Sequence, residues 1–174
     1  THSAALFKLN TVMAVQADIK PFHKVLDAGC GQGGSSLWLA ENIGCETMGI
    51  TLVPHQVLQA KNGAKVKNLS HKSQFFIQDY TATNFKNNSF DIVWACESLC
   101  HAENKKAFYE EAYRLLRPGG KIVVAEYIRS SRNLIPDDEY ILNHWCNGWS
   151  LPDLDTQEEH TENMVRAGLT DIYF

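Results

Sequence analysis

The sequence predicts an α/β domain, a doubly wound and mostly parallel sheet with helices on both faces. Two observations carry this. Strand-type and helix-type segments alternate along the chain with short connections, the pattern a parallel sheet requires. The first short apolar run, Val25–Ala28, enters a turn with four glycines in six residues (Gly29, Gly31, Gly33 and Gly34), directly ahead of a helical pattern. Glycine lets the backbone pass close to a neighbour or ligand without a Cβ in the way. The helix start behind it offers unpaired N–H groups and a positive dipole end.

The elements follow in order. Residues 3–18 carry Ala4, Ala5, Leu6, Leu9, Val12, Met13 and Ala17 at spacings that suit an amphipathic helix. Val25–Ala28 is strand one. Ser35–Ile43 is helical, with Leu37, Ala40 and Ile43 on one face and Gly44 as a stop. Glu46–Val53 is strand two. Pro54 opens a polar helix over His55–Leu69. Gln74–Gln78 is strand three, and Asp91–Ala95 is a strand four rich in β-branched and aromatic residues. Asn104–Leu116 is a helix with Phe108, Ala112, Leu115 and Leu116 on its apolar face, ended by Arg117-Pro118-Gly119-Gly120. Ile122–Tyr127 is strand five. Helices follow at Asp137–Trp145 and Glu158–Ala167, the second closed by Gly168, and Asp171–Phe174 reads as a last strand. The expected organisation is a single domain: an N-terminal helix over residues 1–20, a core over 21–130, and a substrate-side segment with the last strand over 131–174. Because the chain opens on Thr1 and stops inside a strand, a fragment truncated at its C-terminal strands is expected.

Composition narrows the function. A chain of 174 residues can bury one full core. Its hydrophobic share of 44% and charged share of 21% are ordinary for a globular protein. A net charge of −4 without any Lys/Arg run argues against nucleic acid as a partner. No apolar run is long enough for a membrane span, and no signal-peptide pattern opens the chain. Five cysteines (Cys30, Cys45, Cys96, Cys100, Cys146) without C-x-x-C spacing fit reduced thiols in a cytoplasmic setting. Cys96, Cys100 and His101 match no common zinc spacing, so no metal is expected.

In open parallel sheets, ligands bind beyond the carboxyl ends of the strands, at the topological switch point. That rule gathers Asp27 with Gly29, Cys30, Gly31 and Gly33, then Thr51 and Leu52, Asp79 and Tyr80, Glu97, Ser98 and His101, and Glu126 with Tyr127. Gly29, Gly31 and Gly34 literally satisfy G-x-G-x-x-G, a weak dinucleotide signal when alone. A nicotinamide enzyme also needs an acid at the end of strand two, where Thr51 stands.

Asp27, Gly29, Gly31 and Gly33 form D-x-G-x-G-x-G, which resembles motif I of the class I S-adenosylmethionine (SAM) dependent methyltransferases. The loop at Asp79, Phe90-Asp91-Ile92-Val93-Trp94 and Leu116-Arg117-Pro118-Gly119-Gly120 resemble further motifs of that class, in order and at its spacing. The likeness covers nearly the whole chain from about residue 20. Glu97-Ser98-Leu99-Cys100-His101-Ala102 looks like the corresponding segment of sterol C-methyltransferases. Gly49-Ile50-Thr51-Leu52-Val53-Pro54-His55-Gln56 looks like the segment shared by tocopherol methyltransferases and cyclopropane fatty acid synthases, a group that also lacks the strand-two acid.

The resemblance implies a Rossmann-like fold, SAM as cofactor, and C-methylation of an isoprenoid, sterol-like or tocopherol-like small molecule. O- or N-methylation of a small natural product is the alternative. An NAD-binding oxidoreductase and a non-catalytic SAM-binding module stay open. It further implies that Gly29, Cys30, Gly31 and Gly33 hold the methionine and sugar part of SAM. Asp27 would fix that loop or reach the amino group. Thr51 and Leu52 would lie near ribose and adenine, Asp79 would accept from the adenine amino group, and Tyr80 would pack beside it. Glu97 would lie near the methionine part or the acceptor mouth.

The chemistry follows from the cofactor. A sulfonium methyl is already electrophilic, so the protein must hold the nucleophile in line and exclude water. A hydroxyl or amine acceptor needs a base, a role histidine suits, and His101 is the candidate. Methylating an alkene or aromatic carbon creates positive charge, which Glu97, Glu126 and aromatic faces can stabilise. Tyr140, His144, Trp145 and Trp149 are candidates for the acceptor wall. His2, His23, His55, His71 and His160 read as surface residues. No Asn-Pro-Pro-Tyr or Asp-Pro-Pro-Tyr follows strand four, so DNA or protein-amine methylation is not expected.

Overall fold

The computed structural model describes residues 2–174, with side chains from residue 4 onward, so the expectation for His2 lies outside the described side chains. Five strands form one all-parallel sheet in the order β3-β2-β1-β4-β5. They are β1 (Lys24–Ala28), β2 (Glu46–Thr51), β3 (Ser73–Ile77), β4 (Phe90–Cys96) and β5 (Leu116–Ala125). The helices are α1 (His2–Gln16), α2 (Gly34–Asn42), α3 (Pro54–Val66), α4 (Lys105–Leu115), α5 (Pro136–Gly148) and α6 (Gln157–Ala167), with a 3-10 turn at Leu99–His101.

The two-residue period of a strand assigns the layers. On one face of the sheet Leu26, Ala28, Val93 and Ala95 pack with Phe108, Ala112 and Leu115 of α4, and Met164 and Ala167 of α6 lie against the same core. On the other face Val25, Ile92 and Trp94 pack with Met13 and Ala14 of α1 and Leu39 of α2. α3 closes that side over β3 through Val57, Ala60, Ala64 and Phe75. Trp94, at 0% exposed, anchors the centre of the second layer.

The structure corrects the sequence reading in three places. β5 begins at Leu116, so the Arg117–Gly120 segment belongs to the strand and not to a helix end. Pairing jumps from Phe90↔Leu116 to Ile92↔Lys121, so the intervening residues bulge out, with Gly119 at φ +80. Asp171–Phe174 forms no strand, because strand-type residues make one only where a neighbouring strand takes up their backbone groups, and Tyr173 and Phe174 stand in solvent. His160 is no surface residue: it is 2% exposed, and Tyr109 Oη lies 2.8 Å from its Nδ1.

Among the described residues no helix is long and apolar enough to cross a membrane. All five cysteines are free thiols.

Candidate active site

The parallel order places the five carboxyl ends side by side, so the gathered residues form one rim: Asp79 and Tyr80 after β3, Thr51 and Leu52 after β2, the glycine turn after β1, Glu97 to His101 after β4, and Glu126 after β5. β1 lies between β2 and β4, which is the switch point.

The glycine turn divides into two kinds of position. Gly29, Gly31 and Gly33 all have left-handed φ, at +85, +52 and +83. At Gly29 a Cβ would sit 2.4 Å from the Ser98 Cβ, and at Gly33 it would sit 2.9 Å from Ala60 and the Phe75 ring. Those two glycines are demanded by the protein's own packing. At Gly31 a Cβ would meet nothing within 4 Å, so this glycine alone of the three faces open space. The N–H groups of Gly29 and Cys30 are spent on the Ile50 carbonyl, at 3.0 and 2.9 Å. Those of Gly31, Gln32 and Gly34 have no acceptor among the described residues. The Cys30 side chain is buried, its Sγ close to Gly49, and burial pushes its thiol far up, so only its backbone faces the rim.

Asp27 is 2% exposed and points into the layer of α2. Gly33, the N-cap of α2, has no side chain to cap it. Asp27 Oδ2 supplies the cap by accepting the Ser36 N–H at 3.1 Å and the Ser36 hydroxyl at 2.6 Å. Burial outweighs these two bonds and raises its carboxyl to about 6. These contacts tie β1 to the first turn of α2, directly behind the glycine turn.

Thr51 is buried, and its hydroxyl is engaged with Gln56 Oε1 at 2.7 Å and the Val53 N–H at 3.3 Å, which turns the chain into α3. Leu52 beside it is 64% exposed and stands free on the rim. Asp79 is exposed, and its Oδ1 takes both the N–H and the hydroxyl of Thr81. Its Oδ2 has no partner among the described residues. Tyr80 packs edge-on against Phe108 at 5.6 Å and donates its hydroxyl to the Ser98 carbonyl at 3.1 Å. Burial raises that phenol to about 12.

After β4 the chain turns sharply at Glu97, an exposed residue at φ +48 whose N–H donates to the Ala125 carbonyl at 2.8 Å. His101 is also exposed, at the end of the 3-10 turn. Glu126 is half-buried and fully used: Oε2 accepts the Cys100 N–H at 3.0 Å, and Oε1 accepts the Tyr127 N–H at 2.9 Å. It therefore holds the Leu99–His101 turn against β5. Burial, with Glu126 beside it, raises the Cys100 thiol to about 12. The negative charge of Glu97 raises the Tyr127 phenol.

α5 brings an aromatic surface to the β5 end of the rim. Trp145 meets Tyr127 edge-on at 5.2 Å, and Tyr140 stacks on His144 at 6.2 Å. Tyr140, Ile141 and Trp149 are exposed. The rule for open sheets puts Ser98 on the rim without assigning it a contact, and no local pattern singles out Tyr109 or Arg129. For His160 the signal lies in α6, where His160, Met164 and Ala167 share one helical face.

A parallel 3-2-1-4-5 sheet, a glycine turn opening at its switch point and acidic residues after β3 and β4 define an α/β domain of the class I methyltransferase type. The profile of the family described as "Methyltransferase domain" matches residues 26–124, and the chain belongs to that family. It is similar to the chloroplastic tocopherol O-methyltransferase of Arabidopsis thaliana, at 34% identity over 88% of this chain and 45% of that protein. It is similar to the sterol 24-C-methyltransferase of Saccharomyces cerevisiae, at 35% identity over 75% of this chain and 34% of that protein. The chain spans less than half the length of these two relatives. The solved geranyl diphosphate C-methyltransferase of Streptomyces coelicolor shares the fold, with TM-score 0.83 and 19% identity over 95% of this chain and 60% of that one.

Proposed function

We infer that this chain is the core of a SAM-dependent methyltransferase that acts on a small isoprenoid-type acceptor, a sterol-like, tocopherol-like or prenyl compound. The observation that carries the reading is Gly31, where a Cβ would meet nothing within 4 Å in a turn whose neighbouring N–H groups are unpaired. That is a cradle, and it fits the amino-acid half of the cofactor. The other donors and acceptors suit the same molecule. Asp79 Oδ2 would accept from the adenine amino group, and Leu52 would cover the ring. Thr51 would act through the shape of its turn, since its hydroxyl is engaged within the protein.

When bound, the cofactor supplies an electrophilic methyl group. The chain's own residues orient the acceptor against it, exclude water and handle charge. Glu97 stands exposed at the rim, where a carboxylate stabilises positive charge developing on a methylated carbon. Tyr127, Trp145 and Trp149 provide an apolar wall beside it. His101 would take the proton when the acceptor is a hydroxyl or when a carbon centre must lose one. Glu126 would act through the turn it holds, because both its oxygens already accept N–H groups. The names of the similar proteins divide among oxygen, carbon and nitrogen as the methylated atom, and this reading takes carbon on the strength of the Glu97 carboxylate beside aromatic rings. A reducing, cytoplasmic-type compartment belongs to the same proposal and is supported by the free thiols.

Calorimetric titration with S-adenosylhomocysteine and with NAD tests the reading. Micromolar binding of the first, weakened by Asp79→Ala, supports it and opens a screen of prenyl, sterol and phenolic acceptors with radiolabelled SAM. Binding of NAD alone overturns it.

A further inference from the structure

Backbone pairing between β1 and β4 ends at Asp27↔Trp94, two residues before the glycine turn, and beyond it the strands part at the switch point. One buried side chain spans the gap. Ser98 is 6% exposed and donates its hydroxyl to the Ala28 carbonyl at 2.6 Å. Its own carbonyl accepts the Tyr80 hydroxyl at 3.1 Å and the His101 N–H at 3.2 Å. The place where a Gly29 Cβ would sit is filled by the Ser98 Cβ. Ser98 therefore touches the end of β1, the loop after β3 and the turn that carries Glu97 and His101. Glu97 directly before it holds a left-handed backbone, which persists only where both flanks are fixed. Ala125 fixes one flank through the Glu97 N–H, and Ser98 fixes the other.

We propose that Ser98 is a positioning residue whose hydroxyl sets the spacing between the glycine turn, on the donor side, and the Glu97–His101 turn, on the acceptor side. The proposal rests on the methyltransferase reading. In-line transfer needs reacting atoms roughly 3–3.5 Å apart, and a displacement of about 1 Å costs on the order of a hundredfold in rate. Ser98 governs that spacing without touching a ligand, because its hydroxyl and carbonyl are engaged inside the protein.

The test compares two ligands by calorimetry: S-adenosylhomocysteine, and 5′-methylthioadenosine, which lacks the amino-acid half. Ser98→Ala frees the Ala28 carbonyl directly before the glycine turn and keeps the Cβ that stands against Gly29, so its effect falls on the half of the ligand that the turn holds. It is expected to weaken S-adenosylhomocysteine about tenfold and methylthioadenosine less than threefold. Tyr80→Phe keeps the ring on Phe108 and removes one of the two hydrogen bonds to the Ser98 carbonyl, leaving the one from the His101 N–H. It should shift the same ligand selectively by a smaller factor, and it decides the question if Ser98→Ala does not fold. Equal weakening of both ligands means general loosening and overturns the proposal. So does unchanged homocysteine-ligand affinity in a variant that folds. If the wild-type chain binds neither ligand, the methyltransferase reading falls and the proposal falls with it, a result distinct from the other two.

Discussion

Asp27 Oδ2 accepts both the N–H and the hydroxyl of Ser36, so a carboxylate at the end of β1 caps a helix that its own N-cap glycine cannot. The arrangement fixes the glycine turn between two anchored points, but it buries a titratable group. Burial raises that carboxyl from an ordinary 3.8 to about 6. The folded state therefore holds the proton more tightly than the unfolded chain does. The resulting stabilisation is full below about pH 4 and is lost as pH rises through about 6, an effect of about 3 kcal/mol. Asp27→Asn cannot titrate there. Its thermal midpoint is expected to gain on the wild type between pH 5 and pH 7.5, read by circular dichroism. A gap of equal size at both pH values would contradict the assignment.

Gly29 and Gly31 separate folding from binding. Gly29→Ala drives a Cβ into Ser98 at 2.4 Å on a backbone already at φ +85, and the expected outcome is loss of soluble folded protein. Gly31→Ala meets open space, so its cost is the left-handed conformation alone, about 1–2 kcal/mol. For a chain of this size that is roughly a 5 °C drop in Tm. The new methyl would stand where the cofactor approaches, so S-adenosylhomocysteine affinity should fall at least tenfold. Gly31→Ala that binds like the wild type would remove the cradle from the argument.

His160 has the opposite pH sign to Asp27. It is buried between α4 and α6, its Nδ1 paired with the Tyr109 hydroxyl and its Nε2 without a partner among the described residues. Burial holds its pKa below the ordinary 6.5, against the upward pull of Asp155, Glu126 and Glu159 and with the help of Lys105. The folded state thus keeps the ring neutral. Its contribution is full above pH 6.5 and is lost as pH falls through the lowered value. Tyr109→Phe leaves Nδ1 buried and unpaired and is expected to cost about 1–3 kcal/mol in urea unfolding at pH 7.5. His160→Gln should lose less stability than the wild type when both are taken from pH 7.5 to pH 5.5. Equal losses would place the titration elsewhere.

The sheet was legible in the sequence because its signals are local. A parallel strand buried on both faces is a short apolar run, and its ends carry the turn residues, as at Val25–Ala28 before Gly29. Contacts between distant segments were not legible. The Ser98 hydroxyl finds Ala28 seventy positions away, and no pattern around either residue announces it. Thr51 stands at the end of β2, as its place in the sequence indicates, but the partner of its hydroxyl was not legible: Gln56, five residues on, accepts from it. Asp171–Phe174 has the residue types of a strand yet pairs with nothing, because pairing belongs to the sheet and not to the segment. His160 was mislaid for a simpler reason. Its type is polar, but its phase on α6 matches Met164 and Ala167, and phase decides which face is buried.

Arg129 and Arg132 sit three residues apart after β5, and burial gives them different weights. Arg129 is 6% exposed. Its guanidinium donates to the Ser131 carbonyl at 2.9 Å, to Glu139 in the first turn of α5 at 2.6 Å, and to Asp153 at 3.4 Å. Arg132 is 39% exposed and reaches Asp153 and Glu159 at the start of α6. That contact holds the Glu159 carboxyl down at about 2. Removing Arg129 leaves carboxylates that are themselves partly exposed and can be rehydrated, so the loss is of buried hydrogen bonds and packing, about 2 kcal/mol. Arg132→Ala loses a surface network worth about 1 kcal/mol or less, and salt screens it. Urea unfolding at about 0.05 M and about 0.5 M NaCl distinguishes the two. The cost of Arg132→Ala should shrink in high salt, while that of Arg129→Ala should hold. If both costs shrink alike, Arg129 is a solvent-screened ion pair, and its place as the buried tie between α5 and the Asp153 loop is wrong.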